Sequence, residues 1–179
     1  MTDDATRATQ ALRATAHPVR LQMLSLLTGA EMSAAEVARE LDLTHANASY
    51  HLRLLLDAGQ LEVASEERIR GGVAKRYRHP WRDHETRGKS TPEGRAAWAR
   101  AMAAELVRRV GEYAGRPGSF TDAELWVSEE DYLAVRASLQ EASNRLHASA
   151  RPPRTGGTIK IAMTAALFEM KQLEMKQSR

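Results

Sequence analysis

Between positions 44 and 53 of this 179-residue chain stand seven side chains suited to reading a hydrogen-bonding surface: Thr44, His45, Ala46, Asn47, Ser49, Tyr50 and Arg53. An Asn can engage both edge groups of adenine, an Arg can reach guanine or a phosphate, and a small Ala leaves room for a thymine methyl. Asn47, Ser49 and Tyr50 are the expected base readers, with Arg53 beside them. A second group lies at positions 68–78, where Arg68, Arg70, Lys75, Arg76 and Arg78 supply five basic residues and no acidic one. Arg68, Arg70, Lys75 and Arg76 fit phosphate contact along a nucleic-acid backbone or in its minor groove. A third group, His79, Asp83, His84 and Glu85, offers imidazole and carboxylate of the kind that suits zinc or nickel. Its spacing is irregular and it sits in a polar stretch, so surface charge is the expectation and no metal site is assigned.

Nothing in the chain names a reaction. There is no Gly-rich nucleotide loop, no G-x-S-x-G and no H-E-x-x-H. The absence of cysteine removes disulfides, thiolate metal sites and thiol catalysis. The chain reads as a non-enzyme that takes no cofactor. No apolar run reaches the length of a membrane span, and the polar N-terminus M-T-D-D-A-T-R is unlike a signal peptide; a cytoplasmic location is expected. The net charge of +3 is small, so the local basic patches matter more than the average.

The first group must sit on a helix. At helical pitch Ala48, Leu52 and Leu55 share a stripe, with Leu56 at its edge, and the reading residues fall opposite. Thr44 is a plausible N-cap and Gly59 a C-cap, which gives a recognition helix over 44–58. His51 falls between the two faces and fits a structural or phosphate-contacting role better than that of a ligand. Upstream, 5–15 reads as a short Ala-rich helix, and His17-Pro18 starts the next one, Pro18 to about Leu27. Ser33-Ala-Ala-Glu36 is a capping-box pattern opening a helix over 34–41. Downstream, strands over about 60–65 and 73–79 flank the Gly71-Gly72 turn, so that 66–79 forms a basic wing.

Residues 82–90 form a polar linker. A helix follows over 92–113 with Ala97, Met102, Leu106, Val107 and Val110 on its apolar side. Residues 121–127 and 158–168 are expected to be paired strands around a helix over 129–148, whose buried side is marked by Tyr132, Val135, Leu139 and Leu146. The fold expectation is α+β and mainly helical. It comprises a winged helix-turn-helix domain at 5–80, a linker and long dimerisation helix at 81–115, a small αβ C-terminal extension at 119–168 and a tail at 169–179.

Three stretches carry a family resemblance: H-P-V-R-L-Q-M-L-S-L-L at 17–27, S-A-A-E-V-A-R-E-L-D-L at 33–43 and A-S-Y-H-L-R-L-L-L-D-A-G at 48–59. Together they resemble the ArsR-type winged-helix repressors over about residues 8–80. The resemblance implies a homodimer that represses transcription at a palindromic operator in double-stranded DNA and is released by a signal. It leaves open a small-molecule effector of unknown identity. Metal-sensing members carry cysteines ahead of the recognition helix, or acidic and histidine ligands on the dimer helix. Here 34–41 holds no cysteine and 92–113 no histidine, so that chemistry does not carry over. Two alternatives stay open: a winged-helix protein-interaction module without DNA binding, and a His/carboxylate metal-responsive repressor.

Overall fold

The computed structural model describes residues 10–69, 72–81 and 91–171. In chain order these form α1 (10–15), α2 (Pro18–Gly29), β1 (Met32–Ser33), α3 (Ala34–Glu40), α4 (His45–Asp57), β2 (Glu62–Ile69), β3 (Gly72–Arg78), α5 (Pro92–Gly111) and α6 (Glu129–Ser149). The class is α+β and mainly helical, with a winged helix-turn-helix at its centre. Its one sheet among the described residues is antiparallel, in the order β1-β3-β2.

Local chemistry sets the helix starts. Pro18 opens α2 without losing a hydrogen bond, since the first helical N–H has no partner inside the helix. The Ser33 capping box closes as the sequence implies: the Glu36 amide donates to Ser33 Oγ at 3.3 Å, and the Ser33 amide donates to Glu36 Oε2 at 2.7 Å. Thr44 caps α4 by accepting from the Asn47 amide at 3.2 Å. Between α3 and α4 the chain reverses through Asp42 at φ 53°, a left-handed conformation that Asp tolerates better than most residues. At the far end of α4, Gly59 sits at φ 67°. Its amide donates to Leu56 O at 2.9 Å and that of Gln60 to Leu55 O at 2.8 Å. This pattern satisfies the last carbonyls of α4 and favours glycine.

The core is made where α2, α3 and α4 meet. Met23, Leu24 and Leu27 pack with Val37 and Ala38, with Ala48, Leu52 and Leu55, and with Leu61 at the entry to β2. Met32 of β1 and the half-buried Tyr77 of β3 close the side toward the wing. Because Leu52 and Leu55 are fully buried, the orientation of α4 is fixed by packing.

Several expectations are corrected. The strand β2 runs Glu62–Ile69, well past 65, because cross-strand pairing with β3 carries it through a polar sequence that periodicity alone could not extend. The two-residue β1 was not foreseen; it exists only through pairing of Met32 with Tyr77 and Ser33 with Arg76. The face that α5 buries consists of Gly94, Ala101 and Glu105, while Leu106, Val107 and Val110 face outward. The helix α6 buries none of its residues, so Tyr132, Val135, Leu139 and Leu146 mark no core here. Residues 121–127 and 158–168 are not strands. An alternating pattern says what a segment could bury, whereas a strand also needs a neighbour, and neither segment has one among the described residues.

The end of α6 meets the helix-turn-helix body. Trp81 and His147 stack with centroids 5.0 Å apart, Arg154 Nη1 bonds Glu40 Oε1 at 2.5 Å, and residues 150–151 lie against Gly29.

Candidate nucleic-acid interface

The buried stripe of α4 decides its outward face. With Ala48, Leu52 and Leu55 at zero exposure, Thr44, His45, Ala46, Asn47, Tyr50 and Arg53 are exposed and Ser49 is half-buried. The first turn of α4 holds no acidic residue, so the positive end of the helix dipole is uncompensated and suits a phosphate. The seven expected residues therefore share one surface that begins at the helix N-terminus.

The wing is less basic than positions 68–78 suggest. Glu62, Glu66 and Glu67 lie on β2 opposite the basic strand. Over 62–78 the sequence has three acidic against five basic residues, a net +2. Arg78 bonds Glu62 Oε1 through Nε at 2.9 Å and Nη2 at 2.5 Å. Arg76 lies 3.1 Å from Glu36 Oε2 and 3.5 Å from Glu67 Oε2, and donates to the Glu31 carbonyl at 2.6 Å. Arg76 thus ties β3 to the start of α3, and its charge is engaged inside the protein. Burial pushes the Glu36 carboxyl up, but bonds with Ser33 and the charge and hydrogen bond of Arg76 outweigh that and hold it below its ordinary value. Arg68 and Lys75 remain exposed near the tip. Arg70 lies outside the described residues.

His51 acquires a neighbour that sequence reasoning missed. Its ring lies 4.9 Å from that of His17, centroid to centroid, and Tyr50 meets its edge at 5.3 Å. The Nδ1 atoms of both histidines are buried without a hydrogen-bond partner among the described residues. Burial lowers the pKa of each; the Arg20 charge adds to this at His17, and the charges of His17 and Arg20 add to it at His51. Arg20 itself bonds the carbonyls of Ala14 and Arg13, which closes α1. The linkage therefore runs from the end of α1 through the start of α2 to the recognition helix. Its signal in the sequence was two histidines, one at the start of α2 and one between the faces of α4.

Glu105 was also missed. It is 2 % exposed. It accepts from Gln22 Nε2 at 2.6 Å and from Arg108 Nε and Nη2 at 3.1 and 3.0 Å, with Arg109 Nε at 3.5 Å. Burial raises its pKa, but these bonds and charges prevail and hold it below the ordinary carboxylate value. The arginines at i+3 and i+4 were the available clue.

Of the residues considered for metal, His79 is buried and its Nδ1 lies 3.0 Å from the Gln60 carbonyl; Asp83, His84 and Glu85 lie outside the described residues. Among the described residues no three His, Asp or Glu side chains converge as a metal site. A cleft of about 330 Å³ lies between α3, the wing base and Pro152-Pro153. Its Glu36 and Glu40 are already paired with Arg76 and Arg154.

Residues 15–64 match the family model described as a helix-turn-helix domain, a span that runs from the end of α1 into β2. The chain carries a helix-turn-helix domain. No curated protein matches it. Among solved structures, a possible transcriptional regulatory protein (fragment 1-100) from Mycobacterium bovis is 24% identical, with 63% of this chain and 95% of that one covered, at a TM-score of 0.35. No helix among the described residues is long and apolar enough to cross a membrane.

Proposed function

We propose that the chain is a cytoplasmic, homodimeric transcriptional regulator of the ArsR type that represses at a palindromic operator. The observation that carries the reading is the exposed face of α4, set opposite a fully buried stripe within a helix-turn-helix domain. In this reading residues 5–80 bind DNA, 81–115 link and dimerise, and 119–168 form an extension ahead of the tail at 169–179. The two α4 helices enter successive major grooves about 34 Å apart. Asn47, Ser49 and Tyr50 read bases with Thr44, His45 and Ala46 at the edge, while Arg53, Arg68, Arg70 and Lys75 bind phosphate. Arg76 leaves the phosphate set because its charge is already paired. The outward Leu106, Val107 and Val110 of α5 support dimerisation through that helix. No catalysis belongs to this reading, and release from the operator is by a small-molecule effector.

The test is selection of bound sequences from random duplexes, followed by titration of the selected operator. Asn47→Ala and Tyr50→Ala are expected each to cost about 1–3 kcal/mol and to relax preference at one base pair. An operator bound normally by a Tyr50→Ala/Arg53→Ala protein refutes the assignment of α4. The acidic β2 favours a second reading, a protein-interaction module that does not bind DNA. Finding no salt-dependent binding to duplex DNA would select it.

A further inference from the structure

We propose that residues 119–127 and 159–168 are β-arms exchanged between two copies of the chain, each acidic arm pairing with the partner's basic arm. The inference rests on the dimeric reading above and specifies how the second copy engages. Neither segment is helix or strand, and among the described residues neither makes a backbone–backbone hydrogen bond. An open row of N–H and C=O groups is a template for another strand. The side chains agree: Phe120, Leu125, Trp126, Ile159 and Phe168 are all more than 60 % exposed, Trp126 at 86 %. The helix that joins the arms, α6, has no buried residue. An aromatic side chain buries about 150–250 Å², and Phe120, Trp126 and Phe168 are largely exposed, so they alone supply about half of the roughly 800 Å² per partner of a standard interface.

Charge identifies the occupant. Residues 119–127 carry Asp122 and Glu124 and no Lys or Arg, with Glu129, Glu130 and Asp131 following at the start of α6, whereas 159–168 carry Lys160 and no Asp or Glu. Opposite charges across a strand pair stabilise it. A second copy offers both complements at once, and a two-fold axis sets each arm against its match. The basic arm is anchored on the end of α5. Lys160 Nζ lies 2.7 Å from Glu112 Oε2, and Arg109 Nη1 reaches the Met163 carbonyl at 3.4 Å and Thr164 Oγ1 at 3.3 Å. That end of α5 also exposes Val107 and Val110, so the exchanged arms continue the proposed helix interface.

The chain has no cysteine, so introduced ones report alone. Full-length Ala123→Cys and Ala162→Cys proteins with different tags would be co-expressed and treated with a short bismaleimide, while sedimentation gives the mass of the unmodified chain. The expected result is a dimer by sedimentation and a covalent product containing both tags. A Trp126→Asp variant is expected to weaken dimerisation at least tenfold while keeping its helical circular dichroism. A dimer without the mixed product, or one that Trp126→Asp leaves equally tight, overturns the arm exchange but leaves the dimeric regulator standing. Linkage confined to one chain in an Ala123→Cys/Ala162→Cys double variant assigns the strands to a single copy and overturns it likewise. A monomer at micromolar concentration overturns both.

Discussion

Glu105→Gln removes one negative charge from a site where the carboxylate gathers Gln22, Arg108 and Arg109 at the contact between α2 and α5. The wild-type oxygens accept from Gln22 at one atom and from Arg108 at both. Gln keeps the shape but offers a single acceptor, and its amide N–H₂ turns toward donors. Hydrogen bonds to charged groups contribute about 1.5–3 kcal/mol. Arg108 is 38 % exposed, so solvent screens part of that and about 1–2 kcal/mol is the expected loss at neutral pH. For a chain of this size the melting temperature falls by about 2–4 °C per kcal/mol. The sign with pH follows from the depressed carboxyl pKa: the stabilisation is complete above the ordinary value of 4.5 and is lost as pH falls through the lower folded value. Urea unfolding followed by circular dichroism, at neutral pH and again well below 4.5, measures both. A variant as stable as wild type at neutral pH refutes the argument. So does a deficit that stays undiminished in acid, because the wild-type carboxyl is then protonated too.

The remaining predictions concern the joints around the recognition helix. A Cβ on Gly29 would lie 2.8 Å from the Arg151 carbonyl and 3.2 Å from Ala150 Cβ, so Gly29→Ala is expected to destabilise by about 1–2 kcal/mol despite Ala's better helix propensity. A variant melting at or above wild type would show that residues 150–151 do not pack there. His17 and His51 have pKa values below 6.5, so the stability of their neutral forms is complete above 6.5 and falls as pH drops below it, until the folded values are passed. The urea midpoint should therefore drop between about pH 7.5 and pH 5.5, and a His17→Phe/His51→Phe protein should flatten that slope. Arg76→Ala is expected to cost about 1 kcal/mol of stability and to leave the salt dependence of DNA binding unchanged. Lys75→Ala should spare stability and lower the salt slope by about one.

Much of the helix-turn-helix was legible because its signals are local. Ser33 and Glu36 close their capping box, Thr44 caps α4, Gly59 ends it, and the stripe of Ala48, Leu52 and Leu55 is buried as spaced. What periodicity could not supply was pairing. The acidic strand β2 and the short β1 exist through their partners on β3. The contact of His17 with His51 joins residues 34 positions apart. On α5 the apolar stripe was visible, but its direction was not: the buried face went to Gly94, Ala101 and a charge-satisfied Glu105, which bonds Gln22 of α2. In the C-terminal half, 121–127 and 158–168 are expected as paired strands, but among the described residues neither is a strand, because composition does not supply a pairing partner.

Glu36 holds two parts at once: it completes the cap of α3 and receives Arg76 from the wing. Tilting the wing therefore means unpicking the first turn of α3, and the hairpin behaves as a rigid lever with a clamped root. The root is set by Glu36, Glu62, Arg76 and Arg78, none of which lies at the tip. Sequence can drift at the tip without altering the angle at which the lever is presented. For engineering, that makes the tip a replaceable head: a different turn could be grafted there to change affinity or groove preference, while the recognition helix and its framework stay as they are.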